Sequence, residues 1–430
     1  MSRRTLFFAA LGVIALLTRT EPGSAHSMSR LGTVESIVDR HTLQLDDSIF
    51  IGTIDKIYKD GHFYSHQPPL LSVLEAPVYA LLRVPGTRFN NRGRPVMVYA
   101  FTLLTNGLAL ALTVVVLGEI FAMAGMASPM REWMALILPF GTWLLPYGIV
   151  ANNHGVSGLL TALLIWMLFK IEWHGGSAGR TLGIGLALGL LVAIEVLPIA
   201  AFVPATIAYL WSRRDLDARS WAMFTAGLAA PLAAHAAINV PLFGDVIPAG
   251  FHTELFQYEG SVFDAASLTG TLKYSSVGAA ANYAWASLFV EKGYFTFAPV
   301  CLLGFIAAVV KCRWWLSRAP GPYAVMLSGA VISLVIALLT TNNFGGEAVG
   351  FRHAVYLAPV FIVLLLPWLA GPAKLRGLVV SVAAVSVLLM LAFAVREPWS
   401  VLTWSNARVG TWHDYLPLPD RVVHATLFNP

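Results

Sequence analysis

Charged residues are scarce in this chain. Lys, Arg, Asp and Glu make up 12% of its 430 residues, where a soluble domain carries about 25%. With 57% hydrophobic residues and a mean hydropathy of +0.69, that excludes an ordinary soluble globule and points to a polytopic membrane protein. Cysteine is nearly absent. Cys301 and Cys312 lie in or beside one apolar segment, so free thiols are expected rather than a disulfide framework. There is no Cys-x-x-Cys pair, and a metal would need ligands assembled across loops. Internal repeats and low-complexity tracts are missing too. The net charge of +5 is spread over connections and forms no single basic patch, which argues against a nucleic-acid partner.

What the chain has is apolar length. Residues 1–17 combine a basic head with a short apolar core. They read either as a cleavable signal peptide or as an uncleaved first span, and the span is preferred. Further apolar segments follow near 95–118, 132–151, 155–171, 181–196, 198–211, 220–241, 294–310, 321–341, 354–370 and 375–395. Segment 198–211 is short enough to be re-entrant or tilted. The expectation is an all-α polytopic protein of about eleven transmembrane helices, forming a single domain over residues 1–430. Lys and Arg cluster in alternate connections (Arg131; Lys170 and Arg180; Arg213, Arg214 and Arg219; Lys311, Arg313 and Arg318; Lys374 and Arg376). The positive-inside rule then puts the N-terminus in the cytoplasm and the C-terminus outside. Thirteen Trp and thirteen Tyr suit interfacial belts.

In this orientation the polar chemistry collects on the outer side. A first loop spans 18–94, a second long segment 242–293, and a tail 396–430. The stretch Asp46–Leu82 holds Asp46, Asp47, Asp55, Asp60, two lysines, two histidines and a Pro-Pro pair. Two short outer pieces add to it: Ala151-Asn152-Asn153-His154-Gly155, and Thr341–His353 with its Gly-Gly-Glu-Ala-Val-Gly run. Glycines there permit turns at positive φ. Arg352 enters the next span at its outer end. Its fork of donors suits a phosphate, and snorkelling to the interface is the alternative. His154 and His353 are either metal ligands or hydrogen-bonded structural histidines. An acid at the lip of such a bundle can take the proton of an attacking hydroxyl.

Lys59-Asp-Gly-His-Phe-Tyr-Ser-His-Gln-Pro-Pro69 resembles the first-loop motif of superfamily C membrane glycosyltransferases, relatives of the dolichyl-phosphate-mannose protein mannosyltransferases and of the aminoarabinose transferase of lipid A. Gly61-His62-Phe63-Tyr64-Ser65 and Pro68-Pro69 match, while His66-Gln67 replaces an Asp-Lys pair. Ser29–Arg40, Gly293–Pro299 and Asn342–His353 also resemble stretches of that family. The resemblance covers roughly residues 25–370 and implies amphipathic helices in the first loop.

It further implies transfer of a sugar from a polyprenyl-phosphate carrier to a glycan, lipid or protein acceptor at the periplasmic face of a bacterial inner membrane. Such an inverting hexosyl- or pentosyltransferase uses a first-loop acid as base or metal-binding group. The usual Asp-Glu before Ser29-Arg30 is Ser27-Met28 here, so Asp55 is the expected replacement and Asp47 the second candidate. Expected substrate-binding residues are Lys56, Tyr64, His66, Gln67, Lys292, Asn343, Glu347 and Arg352. A divalent metal stays open as cofactor, with His154 as candidate ligand. The rival readings are a lipid or sugar transporter or flippase, and a non-catalytic assembly subunit. Transporters usually place ionisable groups within spans; here Glu195 and His235 lie in or near spans, but most polar groups fall in the outer loops.

Overall fold

The computed structural model describes residues 2–83, 88–89, 94–195, 201–263, 274, 276–290, 292–341, 344–346, 348–400, 402–403 and 406–409. Among these, six helices are long and apolar enough to cross a membrane: Arg94–Met123, His154–His174, Ala218–Phe243, Pro320–Thr340, Arg352–Leu369 and Ala373–Ala394. The other expected crossings are shorter or broken. Arg3–Leu17, Ala178–Ile194 and Phe202–Ser212 have 15, 17 and 11 residues. The segment expected at 132–151 is two pieces, Met130–Phe140 and Leu144–Gly148. Pro139 and Pro146 each remove an amide donor there, and Gly141 ends the first piece. The segment at 294–310 is likewise divided into Tyr294–Phe297 and Pro299–Val310, the second starting on proline.

Close packing of two helices positions the site. Ala178–Ile194 lies against Ala218–Phe243 with almost no gap between backbones. A Cβ on Gly185 would fall 2.3 Å from the Phe224 carbonyl oxygen, and one on Gly227 would fall 2.5 Å from that of Leu182. Small residues allow such an approach where lipid supplies no hydrophobic drive for helix association. The pair fixes the C-terminal end of Ala178–Ile194, where Glu195 follows.

The first loop folds as a helix, a hairpin and a helix. Ser24 caps Ala25–Arg40 by accepting from the Ser27 amide. Two strands, Lys56–Lys59 and His62–Ser65, pair antiparallel across Asp60-Gly61, both at positive φ (52° and 88°). Asp-Gly in a two-residue turn gives the twist a hairpin needs. No strand was expected here; the resemblance implied only amphipathic helices in the first loop. The third piece is the helix Pro69–Leu82.

Apolar contacts dock these pieces on the bundle. Leu31, Val34, Phe50 and Tyr79 form one cluster with Met97, Val98 and Phe101 of the first long span. Ile57 of the hairpin packs with Phe243, Ala249 and Phe256, so the segment that follows Phe243 closes over it. Between the two loop helices sit two buried ionisable groups, Arg30 and Glu75. Burial raises the Glu75 carboxyl to about 8 against the pull of Arg30, and burial lowers Arg30 to about 10.

Two outcomes follow. Gly185→Leu overpacks the helix pair and is expected to cost about 1–3 kcal/mol, read as a lower melting temperature in detergent. Gly179→Ala has nothing within 4 Å of the new Cβ and should melt no lower than wild type. The Glu75 carboxyl is raised from its usual 4.5 to about 8, so the folded state binds its proton more tightly than the unfolded chain. Stability should be highest below about pH 4.5 as far as this group is concerned, and fall as pH rises through 8. Glu75→Gln should flatten that part of a melting-temperature profile; an unchanged slope would show that Glu75 is not its source.

Candidate functional site

The hairpin register builds one wall of the site. Lys56 pairs with Ser65, so the next step outward sets Asp55 opposite His66. The His66 Nδ1–H donates to the Asp55 carbonyl oxygen at 3.1 Å. Two hydroxyls tie the hairpin region to the first-loop helix. Thr53 Oγ1 donates to the Ala25 carbonyl at 2.7 Å, and the Ser29 and Ser65 hydroxyls bond at 2.6 Å. His26, the second residue of that helix, thereby comes to the same place.

The opposite wall comes from helix ends. Asn153 is the N-cap of His154–His174, and the Oδ1 of Asn152 before it accepts from the His154 amide at 2.6 Å. Asn153 and His154 then meet Glu195, whose Oε1 accepts from Asn153 Nδ2, from His154 Nδ1 at 2.7 Å and from Ser157 Oγ at 3.4 Å. None of these bonds uses Oε2. Arg352 closes the third side. Gly345 approaches it so closely that a Cβ there would stand 3.0 Å from Arg352 Cγ. Gly350, at φ 63°, has the Trp143 ring 2.7 Å from where its Cβ would be. The Gly-rich run thus serves close approach as well as turning.

These walls enclose a cleft of about 150 Å³, lined by His26, His66, Gln67, Asn153, His154, Glu195, Arg352 and His353, with Pro248, Gly250 and Phe251 of the segment after Phe243 over it. No hydrogen bond or ion pair of the Arg352 guanidinium is seen among the described residues. His154 Nε2 and His353 Nε2 are buried and also lack a hydrogen-bond partner among them. Burial is the main reason the His26 imidazole is held well below its usual range, and Arg30 and Arg352 add to it. Burial also lowers His66, against the Asp55 charge. Both rings are therefore neutral at neutral pH.

The sequence-level candidates divide. His66, Gln67, His154 and Arg352 line the cleft. Asp55 does not, although one of its carboxylate oxygens lies within 4.8 Å of an imidazole nitrogen of His26 and of His66. Lys56 gives its ammonium to the Ile51 carbonyl at 2.6 Å and lies 4.6 Å over the Phe63 ring. Tyr64 packs edge-on against Phe243. Lys292 donates to the carbonyls of Gly346 and Ala348 at 2.8 and 2.6 Å, bracing the loop that leads to Arg352. Asp47 is exposed on the loop surface. Asn343 and Glu347 fall outside the described residues.

Two groups of this cleft were not singled out as site residues from the sequence. His26 sits just before the position where an acid was sought. Glu195 had the look of a lone intramembrane acid, since nothing in its neighbourhood in the sequence points to Asn153 and His154. The Asp60-Gly61 turn was the available signal for the Asp55–His66 pairing.

No family model matches the chain, and no curated protein matches it by sequence. Solved structures do. The apo oligosaccharyltransferase of Archaeoglobus fulgidus superposes over 100% of this chain with a TM-score of 0.51 at 13% identity. The chain spans 58% of that enzyme's length. ArnT from Cupriavidus metallidurans, bound to undecaprenyl phosphate, aligns over 92% of this chain and 71% of its own, with a TM-score of 0.49 and 14% identity. The chain therefore shares the helical fold of the archaeal oligosaccharyltransferase.

Proposed function

We propose that the chain is a membrane glycosyltransferase that moves a sugar from a polyprenyl-phosphate carrier to an acceptor at the periplasmic face. The observation that carries this reading is the cleft itself, where the Arg352 guanidinium, without a partner among the described residues, faces a carboxylate, Glu195, across a space lined by His26, His66, His154 and His353. A lipid phosphate is an anion that such a cation can hold through its fork of donors, and the apolar helices around the cleft suit a prenyl tail. The shared fold supports the reading, since the archaeal structure is by name an oligosaccharyltransferase.

The chemistry is a single inverting displacement. The acceptor hydroxyl attacks the anomeric carbon, its C–O bond forms, and the bond from that carbon to the phosphate oxygen breaks. The hydroxyl proton passes to a carboxylate of the cleft. The phosphate leaves with its negative charge held against Arg352, a cation already in position and needing no reorganisation. Glu195 is the carboxylate in the cleft wall. Its Oε1 is anchored by three donors and its Oε2 is the atom left to take the proton. Asp55, the first-loop acid, stands next to His26 and His66 and supports the site from behind them. Eleven crossings, with the N-terminus in the cytoplasm and the tail outside, would put this cleft on the periplasmic side.

Direct assay separates these assignments. Glu195→Gln should lower the transfer rate by about 10²–10⁴-fold, with donor-lipid binding retained. If Glu195→Gln keeps its rate while Asp55→Asn loses that much, the base is Asp55. Asp47→Asn should stay within a few-fold of wild type. Arg352→Lys keeps charge but loses the bidentate fork, so donor lipid should bind more weakly, and more weakly still to Arg352→Ala. Normal lipid binding by Arg352→Ala would remove the phosphate from this site. A reporter active only in the periplasm should work when fused after Pro430 and be silent after Arg214; activity after Arg214 would turn the cleft to the wrong face.

A further inference from the structure

A second polar cluster lies at the far end of the spanning helix that begins with His154. Glu172 sits in the last turn of that helix, about 27 Å from His154 at 1.5 Å per residue. Its side chain is 10% exposed. Beside it a space of about 590 Å³ opens between the helices Phe202–Ser212 and Pro320–Thr340. Ala205, Ala208, Gly321 and Ala324 make an apolar furrow along the two helices. Gly321 is required there, because a Cβ would fall 2.0 Å from the Tyr209 ring. Trp211, 80% exposed on the first of these helices, marks the polar end as the head-group level, where tryptophan anchors a span.

The hydrogen bonds show what the polar lining has left to offer. The Tyr209 hydroxyl donates to Glu172 Oε2 at 2.8 Å. The Ser212 and Ser328 hydroxyls donate to the carbonyls of Tyr209 and Ala324, both at 2.6 Å. Each hydroxyl hydrogen is thereby spent, and only oxygen lone pairs face the space. Arg213 is committed as well. Its Nε and Nη2 bind the Asp215 carboxylate at 2.9 and 3.1 Å, its Nη1 binds Glu172 Oε2 at 3.2 Å, and Nη2 also reaches the Ile171 carbonyl at 3.4 Å. That Asp215 pairing holds its carboxyl down to about 2. One guanidinium thus answers two carboxylates, and Glu172 Oε1 accepts no hydrogen bond among the described residues. The space offers acceptors and negative charge, and almost no donors.

We propose that this space binds the primary ammonium head of a membrane phospholipid, phosphatidylethanolamine, with an acyl chain along the furrow. Three ammonium N–H donors fit Glu172 Oε1 and the Tyr209 and Ser212 oxygens. Arg214, next in the chain and exposed, is the cation available to the lipid phosphate. A choline head has no N–H to give, and an anionic head would face two carboxylates. The site lies at the opposite end of the bundle from the cleft and is independent of sugar transfer.

Native mass spectrometry reads the binding directly. The full chain is stripped of lipid in detergent and titrated with phospholipids of identical acyl chains. One phosphatidylethanolamine per chain is expected, bound about 10–100-fold more tightly than phosphatidylcholine or phosphatidylglycerol, the range that hydrogen bonds to a charged group supply. Mono- and dimethylated phosphatidylethanolamine should weaken stepwise as N–H groups are lost. Glu172→Gln should remove most of the preference. Ala208→Trp fills the furrow while keeping every polar group, and should weaken phosphatidylethanolamine binding at least about 10-fold. The methylated series is run on the wild-type chain, so a variant that fails to fold leaves the test decisive. Equal binding of the three head groups by wild type would overturn the proposal, and so would tighter binding of phosphatidylglycerol. An unchanged preference in folded Glu172→Gln would overturn it too, since the ammonium would then sit elsewhere.

Discussion

One carboxylate oxygen holds the site together. Glu195 Oε1 accepts from Asn153, His154 and Ser157 at the end of a helix with almost no freedom to move. Because it can only accept, it sets the orientation of the Asn153 amide. That amide sets the tautomer of His26, and His26 in turn faces Gln67. A polar chain of this kind is stable in a buried place only when each member is satisfied. The positions of Glu195, Asn153 and His26 are therefore not independent, and loss of one would disturb the rest.

The backbone features around the cleft serve that chain. Gly185 and Gly227 bring two helices to backbone contact, which fixes where the Ala178–Ile194 helix ends and where Glu195 begins. The Asp60-Gly61 turn sets the register that places His66 opposite Asp55. Lys292 braces the glycine loop that brings Arg352 in from the third side. Each of these is a steric or hydrogen-bonding device some distance from the cleft, and each acts by putting one polar side chain in position.

Arg352 differs from the other cations around the cleft. Lys56 is spent on a carbonyl and an aromatic ring, and Lys292 on two carbonyls. Arg30 is buried between Gln67 and the field of Glu75. Arg352 faces the cleft with its donors unclaimed among the described residues, which is the reason it is the cation assigned to an anionic ligand.

The sequence by itself determined the solvent class and the neighbourhood of the chemistry. A chain with 12% charge and long apolar runs can only satisfy its backbone in a bilayer as helices or a closed barrel, and runs of this length suit helices. The polar residues that such a chain retains are conspicuous, so the first loop, the Asn153-His154 turn and Arg352 stood out before any fold was known. Helix breaks were less legible, because Pro139 and Pro146 sit in segments whose mean hydropathy still suits a span. The tertiary structure alone decided which polar groups meet. His26 and Glu195 are 169 residues apart in the sequence, and their link through Asn153 exists only because three helix ends and a hairpin converge on one point. Hydropathy is a sum over neighbours in the chain, whereas a hydrogen-bonded site is fixed by neighbours in space.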